Sequence, residues 1–308
     1  MSSEQRFKMN SFYGIEVAPS RMEVDLYDAE VIGEIPRELN GALYRVVGDR
    51  FYPTLENDNI INGDGLFSMI RFEDGHADFK NRYVRTKRHM AERSARKRLY
   101  GLYRNPYTDL PEAPQDDRDN TGNTYAFHHH GKLFALREDS LPTEMDPVTL
   151  ETKETYNFGG KLKSTSVAAH PKLDPVTGEW WSHGLFWNRE FEGEMSLEVI
   201  DKDGNVVREE FFICPQVGLT HDWAVTRDHV VFDVQPLIVN HEGMKRGEDF
   251  YVYDPSKPAM WGIMRRDGSA ADMRWFKTKQ MTGHIMASYS EGNKVIVDAM
   301  MSPGNSFT

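Results

Sequence analysis

Cysteine is almost missing from this chain: Cys214 is the only one in 308 residues. A single thiol excludes a disulfide framework and a thiolate metal cluster, and a reducing compartment, the cytoplasm, is the expected setting. Long apolar runs are missing too. No segment approaches the roughly 18 consecutive apolar residues of a spanning helix, and the opening MSSEQRFKMN has no apolar signal core, so no membrane span is expected. Positive charge is in short supply, with 37 Lys and Arg against 48 Asp and Glu for a formal net charge of -11. Without a positive field to meet phosphates, nucleic acid is not an expected partner, which leaves a small molecule as the natural ligand.

What is present is short strands joined by turns. DGHADFKNRYVRT, GKLFALRED, MSLEVIDKDGNVVREEFFI, HVVFDVQPLIV, EDFYVYDPSKPAMWGIMRRDG and NKVIVDAMM alternate apolar and polar residues at a period of two, the pattern of half-buried antiparallel strands. The turns between them are of one kind. MDPVTLET, LDPVTGEW, DKDGN and YDPSKP each set an Asp ahead of Pro or Asp-Gly, where the carboxylate can accept hydrogen bonds from the backbone just downstream. Hairpins without alternating long helices predict an all-β architecture, a propeller in preference to a large sandwich. One helix is predicted over residues 88–103, closed by Pro106, with its Arg and Lys on a solvated face.

Three of the eleven histidines share a setting. His170, His221 and His284 each stand beside small residues and a β-prone run, in SVAAHPKLDP, GLTHDWAVT and MTGHIMASY. A lone histidine is more often a hydrogen-bonded core or surface residue than a ligand. These three, however, are separated by intervals on the order of the ~40–50 residues of a propeller blade, so one imidazole per blade can converge on a shared centre. An all-imidazole donor set suits iron, copper, zinc or nickel, whereas magnesium and calcium want oxygen. The consecutive His128, His129 and His130 make a weaker motif, because neighbouring strand residues point to opposite faces.

In this order, NGALYRVVGD, NGDGLFSMIRFEDG, YGLYRNPYTD, REDSLPTEMDPVTLET, AHPKLDPVTGE, THDWAVT, DMRWFK and GHIMASYSEGNKVIVD resemble the carotenoid cleavage oxygenase family. The resemblance runs from about residue 20 to 300 and is strongest to the bacterial lignostilbene dioxygenases and isoeugenol-cleaving enzymes. It implies a seven-bladed β-propeller holding non-haem Fe(II) through four histidines. It further implies cleavage of a carbon–carbon double bond by O2 into two carbonyl products, from a stilbenoid, phenylpropenoid or apocarotenoid alkene.

Residue by residue, the resemblance makes His170, His221 and His284 three of the four iron ligands and Glu138 the carboxylate that orients a ligand imidazole. Tyr103 in YRNP and Arg137, where the family has a lysine, would hold a phenol oxygen of the substrate, and Thr124 would limit access to the open coordination position. Ile61 stands where the family has an aromatic that stacks on substrate. Phe51, Tyr52, Tyr125 and Phe127 are read as core aromatics rather than tunnel lining. Family members are longer, and their fourth histidine would fall beyond Thr308, so residues 1–308 are expected to be the N-terminal blades of one propeller domain, truncated at the C-terminus. Two other readings stand beside this one: a calcium-dependent propeller hydrolase, and a partial propeller acting as a binding or assembly module. A second chain completing the ring would make the protein a homo-oligomer.

Overall fold

The computed structural model describes residues 10–12, 15–17, 19–52, 55, 58–185, 193–302 and 304. They fall into two compact units, Met1–Arg137 with Pro142–Tyr156, and Glu138–Leu141 with Asn157–Thr308. The structure is mostly β-sheet with few helices.

The first unit contains β1 (Asn10–Phe12), β2 (Ile15–Val17), β3 (Val24–Leu26), β4 (Gly41–Asp49), β5 (Asp64–Glu73), β6 (His76–Tyr83), α1 (Lys87–Ala95), β7 (Tyr125–His129), β8 (Lys132–Leu136), β9 (Thr143–Met145) and β10 (Thr152–Thr155). Two four-stranded antiparallel sheets, ordered β3-β6-β5-β4 and β10-β9-β8-β7, accompany the β1-β2 hairpin. Phe67 and Met69 from β5 meet Leu133, Ala135 and Met145 from the second sheet, and Leu150 from the turn between β9 and β10, in one core. Burying such side chains contributes about 1.5–3 kcal/mol each.

Helix α1 stops at Ala95 rather than continuing to residue 103. Arg96 turns left-handed at φ 55°, and the Glu92 carboxylate then captures the backbone amides of Leu99 (2.9 Å) and Tyr100 (3.1 Å), folding the next segment back onto the helix. Arg88, His89 and Glu92 are buried, so the basic face is only partly solvated. Among the aromatics, Phe127 is core and Phe51 packs edge-on against Tyr83, while Tyr125 is exposed.

The second unit contains β11 (Lys172–Leu173), β12 (Trp180–Leu185), β13 (Glu194–Ile200), β14 (Val206–Ile213), β15 (Trp223–Val225), β16 (His229–Val234), β17 (Leu237–Val239), α2 (His241–Met244), β18 (Tyr251–Tyr253), β19 (Ala259–Arg265), β20 (Arg274–Thr278), β21 (Met281–Glu291) and β22 (Lys294–Ser302). Its sheets run β11-β12-β13-β14 and β15-β16-β19-β20, with β17-β18 and β21-β22 as two-stranded ribbons. Trp181, Leu197, Val199, Trp223, Phe232 and Met264 lock the two larger sheets together.

Here the half-buried expectation needs correction, because β12 and β13 are buried on both faces. Their alternate, polar residues face a second buried layer, where Ser164, Ser166, Ser182, Ser196 and Glu198 serve one another. Burial holds the Glu198 carboxyl up at about 8, so it stays protonated at neutral pH.

The aspartate turns close as the residues require. Asp146 accepts from the amides of Val148 (2.9 Å) and Thr149 (2.8 Å), and Asp174 from those of Val176 (2.8 Å) and Thr177 (3.1 Å). Asp201 and Asp254 accept in the same way from Asp203 and Ser256. The two DPVT turns differ at their fifth residue. Leu150 (φ 59°) is fully buried, whereas the equivalent position in the other turn is Gly178 (φ 72°). No helix among the described residues is long and apolar enough to cross a membrane.

Candidate metal centre

Three separate strand ends of the second unit deliver the histidines. Ala168 and Ala169, both fully buried, lead into His170, and the Ala168 amide donates to Ser182 Oγ at 2.9 Å, which pins the approach to β11. His221 follows a segment laced to the strand beyond it, with Leu219 N donating to Leu237 O (3.1 Å) and Gln235 N to Leu219 O (2.7 Å). That pairing demands glycine at 218, where a Cβ would meet Gln235 O at 2.0 Å. His284 sits early in β21, where the register with β22 shifts between Thr282 and Ile285, a bulge that re-aims side chains.

The Nε2 atom of His221 stands 3.1 Å from that of His170 and 3.1 Å from that of His284. One nitrogen from each of the three lies within 4.8 Å of the others, and among the described residues no other group of His, Cys, Asp and Glu gathers this way. Two metal–nitrogen bonds of about 2.1 Å meeting near a right angle span roughly 3.0 Å, so the spacing fits three ligands on one side of a single ion. Burial, followed by the neighbouring His221, pushes the His170 imidazole down to about 3, and the same two causes lower His284. Both rings are therefore neutral at pH 7, with lone pairs to offer.

Glu138 Oε1 lies 3.8 Å from His221 Nδ1, on the side of the ring away from the cluster. That is longer than a hydrogen bond, but it sets the carboxylate opposite the nitrogen that a metal would leave for it. Trp223 Nε1 donates to the His170 carbonyl at 2.9 Å. Asp222, next to His221, bonds to Lys172 Nζ (2.7 Å), Trp223 N (2.8 Å) and Ile285 N (2.8 Å). Lys172 and Asp222 lie inside the motifs around His170 and His221, yet sequence reasoning gave them no role. The signal was a buried-type carboxylate next to one ligand and a lysine two residues past another.

The remaining candidates belong to the first unit. Arg137 is buried with its guanidinium 5.0 Å from the Tyr103 ring centroid, and its Nη1 donates to Ile61 O (2.9 Å), Thr121 Oγ1 and Asn123 Oδ1 (3.2 Å). Tyr103 is buried, and its amide donates to Asp58 Oδ1 at 3.1 Å. Thr124 Oγ1 donates to Asn123 Oδ1 at 3.0 Å. Tyr103, Arg137, Asn123 and Thr124 thus form one patch, to which Ile61 contributes its carbonyl. Of the consecutive histidines, His128 is exposed, His129 is buried and stacks 6.2 Å from Phe127, and His130 turns the hairpin at φ 49°.

The sequence profile of RPE65, the retinal pigment epithelial membrane protein, matches residues 17–308. The chain is 40% identical over 285 residues to isoeugenol monooxygenase of Pseudomonas putida, covering 92% of this chain and 59% of that protein. It is 38% identical over 294 residues to lignostilbene-alpha,beta-dioxygenase isozyme III of Sphingomonas paucimobilis, covering 94% and 60%. The crystal structure of Pseudomonas brassicacearum lignostilbene dioxygenase superposes with a TM-score of 0.89 at 36% identity, over 94% of this chain and 60% of that one. Cobalt-substituted Synechocystis ACO superposes at 0.80 with 22% identity over 97% of this chain and 64% of that one, a likeness of fold. The chain therefore spans about three fifths of the length of the relatives it matches. With a profile match over nearly its whole length and relatives near 40% identity, the chain belongs to the RPE65 family, the carotenoid cleavage oxygenases.

Proposed function

We propose that the histidine cluster is the iron centre of an oxygenase that cleaves a carbon–carbon double bond of a stilbenoid, phenylpropenoid or apocarotenoid with O2, releasing two carbonyl products. The observation that carries this reading is the convergence of three imidazole nitrogens from three separate strands or strand approaches. Such a donor set fits a borderline first-row ion and disfavours the calcium of a propeller hydrolase. The names of the relatives agree, since isoeugenol and lignostilbene are both phenolic alkenes. Four-stranded antiparallel sheets are the repeating unit of a propeller, and the four among the described residues support a seven-bladed ring as the parent architecture.

In this reading His170, His221 and His284 hold Fe(II), which when bound supplies the one-electron chemistry that O2 needs to react with a closed-shell alkene. Glu138, 3.8 Å from Nδ1, would fix the His221 ring by closing onto Nδ1 as an acceptor, which would also raise the basicity of Nε2. Tyr103 and Arg137 are assigned to the phenol end of the substrate. The guanidinium beside the Tyr103 ring would favour a phenolate there, and a para-oxygen anion pushes electron density into the conjugated double bond. Thr124 is assigned to narrowing access to the open position. No protein nucleophile takes part.

The test is elemental analysis of the purified protein together with incubation of the iron-loaded chain with isoeugenol, a hydroxystilbene and an apocarotenoid. Near-stoichiometric iron, and aldehydes from at least one alkene that vanish in His221→Ala, are expected. A protein that binds no iron when reconstituted anaerobically with Fe(II) would sink the reading.

A further inference from the structure

The Asp222 side chain reaches a residue one or two positions past each histidine of the cluster. Its Oδ1 accepts from Lys172 Nζ at 2.7 Å, two residues past His170, and from the Trp223 amide at 2.8 Å, two residues past His221. Its Oδ2 accepts from the Ile285 amide at 2.8 Å, one residue past His284. Asp222 itself follows His221 directly. Three strand ends that are 51 and 63 residues apart in sequence are thus tied to one carboxylate.

The carboxylate is 4% exposed, and the Lys172 side chain 27%. Burying an ion pair such as Asp222–Lys172 carries a desolvation cost, and a fold-only role would be filled as well by apolar residues of similar size. Here both oxygens are spent on groups that fix the three ligand segments.

We propose that Asp222, with Lys172, is a positioning clamp for the histidine centre: it sets the mutual spacing of the three imidazoles and thereby the affinity for the metal, without ligating it. This rests on the reading of the histidines as a metal centre. The carboxylate acts as a shared anchor, so that displacement of any one strand end lengthens a charge-assisted hydrogen bond of about 2.7–2.9 Å. Lys172 completes the device from the solvent side by neutralising the charge that would otherwise draw the carboxylate towards water.

The experiment is a Co(II) titration of the metal-free full chain, read as a dissociation constant and as the visible ligand-field spectrum, at a temperature where circular dichroism shows every variant folded. Co(II) alone is the probe, so no turnover is needed. His221→Ala tests the centre, whereas Asp222→Ala, Lys172→Met and their double variant test the clamp. The expected result is loss of binding in His221→Ala and about 10- to 100-fold weaker binding in Asp222→Ala, the range seen when groups supporting metal ligands are removed. Lys172→Met should fall between wild type and Asp222→Ala with an altered spectrum, and the double variant should bind no more weakly than Asp222→Ala. Asp222→Asn, which keeps an acceptor oxygen, should recover part of the affinity.

If His221→Ala loses Co(II) while Asp222→Ala and Lys172→Met match wild type in affinity and spectrum, the clamp is overturned and the centre stands. If His221→Ala binds like wild type, the centre itself falls and the clamp with it. Should Asp222→Ala fail to fold, the half-buried Lys172→Met decides alone, and unchanged affinity and spectrum there overturn the proposal.

Discussion

Both units gather polar side chains at their strand ends, but the first buries guanidinium groups, and the second brings together the half-buried His170 and His221 with the exposed His284. In the first, Arg88 donates to Asn62 Oδ1 (2.9 Å), Arg137 to the Ile61 carbonyl, and Arg118 grips Asp109 through Nε (2.8 Å) and Nη2 (2.7 Å). A guanidinium has five donors and no lone pair, so it staples loops and cannot hold a cation. In the second unit the cluster is built of imidazole rings whose Nε2 atoms converge, each able to offer a lone pair to a shared cation. The difference teaches that burial of polar groups reports function only through the kind of atom presented. Donors turned onto carbonyls make scaffold, and ring nitrogens converging on one point make a site.

Substitutions can break that contrast. Arg118→Ala should be the most damaging to the fold, by about 3–5 kcal/mol, because it leaves the buried Asp109 carboxylate without its bidentate partner. Denaturant melts read this, and metal binding by the folded fraction should be unchanged. His284→Ala should do the reverse, stripping bound metal while moving the melting midpoint of the metal-free protein little or upward. A metal-free destabilisation as large as that of Arg118→Ala would erase the contrast.

Glu198→Gln sharpens the comparison from within the second unit, where a buried carboxyl is kept neutral by surroundings that offer only hydroxyls. Its folded value is raised from 4.5 to about 8, so between those limits the unfolded chain has released a proton that the folded chain retains. Stability is therefore fully present below about pH 4.5 and falls as pH rises towards 8. The glutamine variant cannot ionise and should lack this fall, standing above wild type by a few kcal/mol at about pH 8. Parallel pH profiles of the two melting curves would refute the assignment. The smallest effect is expected at the exposed Asp201→Ala turn, about 1 kcal/mol from lost hydrogen bonds to the amides of Asp203 and Asn205, measured at constant pH.

The histidine cluster was legible because its members stand alone, beside small residues, at intervals that suit successive sheets. The strands were legible from their alternation and the turns from aspartate chemistry. Asp222 was not, since its meaning depends on the Ile285 amide far along the chain, and backbone donors carry no sequence signature. Glu198 escaped because alternation places a strand carboxylate in solvent. It is a second packed layer, invisible to a single strand's pattern, that turns it inward. The end of α1 was misjudged by eight residues because Glu92 looks like any good helix former until its carboxylate is seen holding the amides of Leu99 and Tyr100.

The paired DPVT turns carry a practical consequence. Leu150 accepts a left-handed backbone, at a cost of about 1–2 kcal/mol, and its side chain is fully buried, so that hairpin is anchored to the core. Its counterpart Gly178 has no side chain to bury, and Val176 at its tip is 90% exposed. A fluorophore, an affinity handle or an inserted peptide should therefore be tolerated between Val176 and Thr177 and rejected between Val148 and Thr149, although the two loops begin with the same four letters.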